Sequence, residues 1–248
     1  IKDTFKHVTV VTGGVETTQN YQTVVEGEYC HIAFRYNAEF QFKSFLESCR
    51  GDSPAVVPQG VAFSLENKVY ETEPGPEPTE LLDIGPYYYL LDVESYHKYG
   101  SMNPYSRYVD EEKVYGTVLA NRGCRAQCTY CAVLAFYPHG VTTRPIKEVV
   151  DEIRYLMEEQ SVSLIDFLDD DLLFGKKRST ELFKTMAEEL PPGLEWISNN
   201  GITGCSITEE IMYWMDKSGC KGMKIGVETG NEELLREIRK PATKDGLR

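Results

Sequence analysis

From Val114 onward the sequence alternates, four times in the same order, between a β-rich run and a stretch with helical spacing. The spacing predicts strands over 114–120, 163–168, 194–198 and 223–227, and helices over 145–160, 179–190, 208–218 and 231–239. Each strand–helix unit takes about 30 residues, the length of one βαβ step. Such alternation implies parallel strands joined by right-handed crossovers. The helix boundaries carry their own signals. Pro145 suits a first-turn position. Ser179 or Thr180, and Thr208, suit N-caps. Gly219 suits the left-handed residue that ends a helix, and Pro241 stops the last one. Four units do not close a barrel, since an eight-unit barrel needs about 250 residues by itself. The chain starts at Ile1 rather than Met and stops at Arg248, just after the fourth helix. The expectation is a piece of a longer protein carrying an open or incomplete barrel.

The region before Val114 reads differently. Residues 6–14 predict a strand, His7 to Val11, followed by a Gly13-Gly14 turn. Phe40 to Cys49 has the spacing of a helix, with Phe42, Phe45 and Leu46 on one side. This is the texture of an α/β unit, placed at residues 1–50. Residues 51–110 are rich in Pro and Tyr and read as a connector. Val61 to Tyr70 suits a hairpin turning near Glu66-Asn67. The run Glu71 to Thr79, with Pro74, Pro76 and Pro78, cannot sustain a helix or a central strand. The barrel-like part then covers 111–248.

Immediately after the first strand of the regular part comes Cys124-Arg-Ala-Gln-Cys128-Thr-Tyr-Cys131. Ligand sites of parallel α/β sheets lie at the carboxyl ends of the strands, so the loop can bring three thiolates to one group. Three thiolates on a four-iron cluster leave one iron without a protein ligand. Other readings of the triplet are a zinc-stabilised binding module without catalysis, with His139 as fourth ligand, a ferredoxin-type electron carrier, and ordinary reduced thiols. Zinc sites usually set two short ligand pairs apart, and a ferredoxin wants a fourth nearby Cys, whereas the next is Cys205. Of the seven Cys, Cys30, Cys49, Cys205 and Cys220 are scattered. An odd number without a secretion signal points to a reducing, cytoplasmic compartment rather than a disulfide framework.

Composition narrows the partners. The formal net charge is -13, and the one short basic run is Lys176-Lys177-Arg178, which argues against a nucleic-acid partner. No apolar run reaches the roughly 20 residues of a membrane span.

The C-x3-C-x-aromatic-C pattern on a loop after the first strand of a repeated β/α array resembles the signature of the radical-SAM superfamily. Arg122-Gly123-Cys124 to Cys131, Leu168-Asp169-Asp170, Gly219-Cys220-Lys221 and Gly226 to Asn231 together resemble the branch in which a cobalamin-binding domain precedes the barrel. The resemblance covers Val114 to Pro241. Val8 to Thr17 is similar to a late strand and loop of the Rossmann-like cobalamin-binding fold. Asp83-Ile84 with Pro86, and Tyr96, resemble the connector. Two features depart from that branch. The Asp-x-His-x-x-Gly cobalt-ligand motif is not in this chain, and Tyr36-Asn37-Ala38-Glu39 stands where the branch has Gly-Glu-Gly-Glu.

The resemblance implies an incomplete (β/α)6 partial barrel preceded by the remnant of a Rossmann-like domain. It implies that Cys124, Cys128 and Cys131 hold a [4Fe–4S] cluster and that S-adenosylmethionine is reductively cleaved to a 5′-deoxyadenosyl radical. An unknown substrate then reacts, by radical attack or by methyl transfer or cyclisation with cobalamin, and a flavodoxin or ferredoxin supplies the electron. Tyr130 is expected against the adenine, where a flat ring offers stacking area; its other reading is core packing. Asp170, among three carboxylates after the second strand, is expected to meet the cofactor's ammonium; alternatively the three are a solvated loop. Asn199, at the end of the third strand, is expected near the cofactor's carboxylate. Glu228, at the end of the fourth, is expected on the ribose hydroxyls. The fifth strand, with the later adenine-contacting motif, would lie beyond Arg248.

Overall fold

The computed structural model describes residues 4, 6–51, 57–75, 90–99, 113–137 and 140–242. Asp83, Ile84, Pro86 and His139, singled out above, lie outside the described residues. The chain divides into two compact units, Ile1–Glu77 with Ala132–His139, and Pro78–Cys131 with Gly140–Arg248. Among the described residues no helix is long and apolar enough to cross a membrane.

In the first unit, β1 (Val11–Thr12), α1 (Val15–Gln19), α2 (Tyr21–Glu26), β2 (Ile32–Phe34), α3 (Glu39–Arg50), β3 (Val61–Leu65) and β4 (Lys68–Glu71) build a sheet of order β1-β2-β3-β4. The β1–β2 pair is parallel and the other two are antiparallel. The expected strand over 7–11 shrinks to two residues. The backbone N–H of Val10 donates to His31 Nδ1 at 2.8 Å, so a side chain takes the place of a ladder partner. The β3–β4 hairpin turns at Glu66 and Asn67 as expected, both with positive φ (51° and 60°), as a two-residue hairpin turn requires. Its place is a correction, however. β3 pairs with β2, so the hairpin completes the first sheet instead of belonging to a connector. One sheet face buries Ala33 and Ala62 with Val25 and Cys30. On the other side of β2, the Phe34 ring stands edge-on to Phe42 (5.4 Å) and Phe45 (5.7 Å) of α3.

The second unit begins with α4 (Val93–Tyr99), whose Val93 joins the main core. Then come β5 (Tyr115–Val118), β6 (Asn121–Arg122), α5 (Val133–Phe136, counted with the first unit), β7 (Thr142–Thr143), α6 (Ile146–Gln160), β8 (Leu164–Phe167), α7 (Lys176–Glu189), β9 (Glu195–Ile202), α8 (Glu209–Lys217), β10 (Cys220–Ile225) and α9 (Glu232–Glu237). The sheet has the order β10-β9-β8-β5 with every pair parallel. Each strand therefore lies beside the next in sequence, as in an opened barrel. α6, α7 and α8 bury Val149, Val150, Ile153 and Leu156, then Leu182, Phe183 and Met186, then Ile211 and Met215. Trp196 anchors this layer. It stacks on Phe183 at 4.9 Å, meets Phe167 edge-on at 5.4 Å, and donates its Nε1–H to Ser218 Oγ at 2.9 Å. Strand alternation sends Leu164 and Ile197 to the opposite face with Tyr115, and Asp166 and Asn199 follow them along that face.

The helix signals hold in part. Thr208 Oγ1 caps α8 by accepting from Ile211 N at 3.2 Å, and Asn231 Oδ1 caps α9 by accepting from Glu233 and Leu234 N–H. Gly219 has φ 94°, and a Cβ there would lie 2.2 Å from Leu194 O, so only glycine fits. Two boundaries move. Pro145 occupies the N-cap position with ψ 133° rather than the first turn. α7 starts at Lys176 after Gly175, and Ser179 lies inside it, donating its hydroxyl back to Gly175 O at 3.2 Å. A buried serine inside a helix bonds the preceding turn when it has no terminus to cap.

Candidate metal and cofactor site

The three cysteines sit on one loop at the carboxyl end of β5, and the loop is held from both sides. At its start, Asp169, fully buried, accepts from the backbone N–H of Ala120 (3.1 Å) and of Asn121 (2.5 Å). Asn121 answers by donating its amide to the carbonyls of Asp171 (3.1 Å) and Leu172 (3.3 Å). Arg178, in the first turn of α7, donates to Asn121 Oδ1 at 3.2 Å and to Ala120 O at 3.3 Å. One member of the short basic run thus points into the loop's foundation. β6 and β7 pair as a two-stranded ribbon, and Gly123, with φ 82°, turns the chain into Cys124. Arg125 then reaches Asp171, Nε to Oδ2 at 2.9 Å and a terminal nitrogen to Oδ1 at 3.0 Å.

The second half of the loop rests on the segment after α9. Thr129 N donates to Ile238 O at 3.1 Å, and the Cys128 thiol faces Arg239 O at 3.8 Å. Cys128 is buried, Cys124 half-buried and Cys131 exposed. Burial pushes the Cys124 thiol up, as do the nearby Asp171, Asp170 and Cys128, while the N–H of Ala126 opposes this. Metal binding supplies the positive charge that thiolates need in such surroundings. Among the described residues, no three His, Cys, Asp or Glu side chains converge closely enough for a single metal ion. The donor set itself fits an iron–sulfur cluster, because three soft thiolates share one loop.

The other expected residues divide. Tyr130 is 55% exposed, so its ring is not core packing. Partial burial and its bond to Glu228 push the phenol's pKa up. Glu228 is held below the usual carboxylate range by Lys240, whose ammonium lies 2.8 Å from Oε1, and by Tyr130. Glu228 is not the last residue of its strand. β10 stops at Ile225, and Glu228 sits in a tight turn with φ 59°, closed by Thr229 N on Val227 O at 2.7 Å. A left-handed glutamate is strained, and such strain gathers at sites where a side chain must be aimed. Gly226 makes room for this arrangement, since a Cβ there would meet Lys240 Nζ at 2.8 Å and Glu228 Oε1 at 2.9 Å.

Of the three aspartates, Asp169 and Asp171 are buried and committed to the cysteine loop. Asp170 is half-buried and touches Asn200 Nδ2 at 3.2 Å, leaving it the carboxylate open to a ligand. Burial raises its pKa, and Asn200 opposes that. Asn199 is corrected in two ways. β9 continues to Ile202, so Asn199 is a mid-strand residue, and it is buried with its amide donating to Asp166 Oδ2 at 3.0 Å. Its neighbour Asn200 is exposed at the mouth and bonds Leu168 O, Asp169 O and Asp170. Asp166, Arg125, Asn200 and Lys240 were not singled out from sequence, and Arg178 was read only as part of a short basic run. Only Asp166 carried a signal there, as an ionisable residue inside the apolar run Leu164 to Phe167.

Residues 118–247, more than half of the chain, match the family model described as the radical SAM superfamily. The chain belongs to the radical-SAM superfamily. Its cofactors are a [4Fe–4S] cluster and S-adenosylmethionine. Among curated relatives of this radical-SAM chain, cytidylyl-2-hydroxyethylphosphonate methyltransferase of Streptomyces wedmorensis is 30% identical over 127 residues, 51% of this chain and 23% of that protein. The anaerobic magnesium-protoporphyrin IX monomethyl ester cyclase of Cereibacter sphaeroides is 23% identical over 240 residues, 94% of this chain and 37% of that protein. Among solved structures, the radical S-adenosylmethionine methyltransferase TsrM from Kitasatospora setae, with cobalamin and a [4Fe–4S] cluster bound, superposes with a TM-score of 0.73 at 16% identity. That match covers 97% of this chain and 46% of TsrM. The chain thus spans less than half the length of each of these proteins.

Proposed function

We propose that this chain supplies the cluster-binding half of a radical-SAM active site, with Cys124, Cys128 and Cys131 as the three iron ligands, Tyr130, Asp170 and Glu228 arranged around S-adenosylmethionine, and Asn199 acting on the site indirectly. The observation that carries the reading is the convergence of the cysteine loop with Glu228 through Tyr130, with the half-buried Asp170 close enough to Cys124 to raise its thiol. When bound, the cluster supplies the electron that cleaves the sulfonium. Tyr130 offers a partly exposed ring to a base. Glu228, kept ionised by Lys240, accepts from vicinal hydroxyls. Asp170 takes an ammonium by a charge-assisted bond. Asn199 acts through Asp166, and Asn200 presents the amide at the mouth. The whole protein's reaction is methyl transfer or cyclisation assisted by cobalamin. Support comes from the named activities of the two curated relatives and from TsrM, and β1 and β2 pair in parallel with β1 leading into Gly13-Gly14, as an α/β domain requires. On this reading residues 1–50, completed by the hairpin at 61–71, are a remnant of a cobalamin-binding-type domain, the rest of 51–110 is a connector, and 111–248 is the catalytic core. The electron donor is a flavodoxin or ferredoxin, and the setting is anaerobic cytoplasm.

Anaerobic reconstitution with iron and sulfide tests this. About four irons per chain with charge-transfer absorption, lost in Cys128→Ala, is the expected result. One tightly held zinc per chain in protein purified without air would instead establish the non-catalytic zinc module.

A further inference from the structure

The geometry points to Arg125 and Asp171 as a positioning latch that presets the Cys124–Cys128 segment before metal arrives and places a balanced charge pair beside the cluster; this rests on the cluster reading above. Asp171 is 0% exposed in its side chain, yet it carries a carboxylate. A buried charge persists only if it is paired and hydrogen-bonded. Arg125 provides both. Its guanidinium forks onto the two carboxylate oxygens at 2.9 and 3.0 Å. The same group donates to Leu173 O at 3.1 Å and to Ser206 Oγ at 2.5 Å. Its backbone N–H also faces Asp171 Oδ2 at 3.5 Å. One side chain thus ties the cysteine loop to the end of β8 and to the turn after β9. A planar fork fixes orientation as well as distance, which a lysine would not do. The latched residue is the immediate neighbour of Cys124, and the next N–H along, that of Ala126, already points at Cys124 Sγ at 3.4 Å. Protein contacts thus hold the residues next to Cys124 in addition to whatever bonds the cysteines make.

The pair also has an electrostatic consequence. Cluster potential follows local charge. With both partners present the pair is neutral. Removing the arginine lets the unpaired Asp171 take up a proton and stay neutral, whereas removing the carboxylate leaves a positive charge that favours the reduced cluster.

Two measurements test the latch on the whole chain. In the metal-free protein, alkylation of each cysteine is followed by mass spectrometry. Arg125→Met should speed modification of Cys124 by about tenfold or more, while exposed Cys131 and Cys49 keep their rates. Because a lone buried Asp171 destabilises the fold, the double variant Arg125→Met with Asp171→Leu is run beside it and should show the same faster Cys124. In iron-loaded protein, the potential should rise in Asp171→Asn and stay near the wild-type value in Arg125→Met. A tenfold change in the reduction equilibrium is about 59 mV for one electron. Arg125→Lys should not restore the slow labelling. Unchanged Cys124 labelling in both Met variants, or an unchanged potential in Asp171→Asn, overturns the proposal. If the wild-type chain takes up no iron, the cluster reading fails, and the labelling result still decides the latch.

Discussion

Asp169→Asn separates what Asp169 does for the cysteine loop from what its burial costs. The carboxylate is 0% exposed and accepts two backbone N–H groups at the start of the loop. Burial outweighs those bonds and pushes its pKa from 3.8 to about 7. The charged groups around it are Asp170, which raises it further, and the Arg178 guanidinium, itself bonded to Asn121 and Ala120. The sign follows from linkage. Between about pH 4 and about pH 7 the folded chain holds a proton on Asp169 that the unfolded chain has released, so stability falls as pH rises through that window. A gap of about three pH units, at 1.36 kcal/mol per unit, gives about 4 kcal/mol. Asparagine keeps the shape but turns an amide N–H₂ toward one of the two backbone donors, at a cost of about 1–3 kcal/mol for an unsatisfied group. The variant is therefore expected to be less stable than wild type near pH 5, and equal or more stable near pH 8. Urea unfolding at half-unit steps of pH measures both curves. Asp166, Asp170 and Asp171 are shifted upward as well, so only the difference between the two proteins isolates Asp169. Two parallel curves across the window would refute the assignment.

Other perturbations have equally definite outcomes. Gly226→Ala places a methyl between Lys240 and Glu228, so S-adenosylmethionine affinity measured by equilibrium dialysis should drop about tenfold, with the melting temperature little changed. Trp196→Ala removes a fully buried ring and the partner of Ser218, and should cost about 3–5 kcal/mol in denaturant unfolding. Asn200→Ala should weaken cofactor binding more than Asn199→Ala, whereas Asn199→Ala should cost more stability because it strips the buried Asp166 of its amide donor.

The parts of the site that were legible in sequence are those fixed by local rules. A cysteine triplet after a predicted strand places three thiols on a strand-end loop whatever the packing. Tyr130 comes with it. Of Asp169, Asp170 and Asp171, only Asp170 is left uncommitted to the cysteine loop, and the reason is tertiary. Asn199 and Glu228 were misplaced relative to their strands for one cause. Strand ends depend on the partner strand, and β9 gains four residues beyond Ser198 while β10 ends two before Val227 because the two register with bulges against each other.

By itself the sequence determined the order of strands and helices, the parallel sheet, the cap at Thr208, the glycine at 219 and the cysteine loop. All of these rest on side-chain period or on backbone freedom within a few residues. Only the tertiary structure decided that the hairpin completes the first sheet, that Asp169 and Asp171 belong to the cysteine loop, and that Lys240 aims Glu228. Those pairings join groups 12 to 50 residues apart. Their worth comes from burial, which makes an unpaired charge or N–H costly and so selects the partner that three-dimensional packing brings within reach.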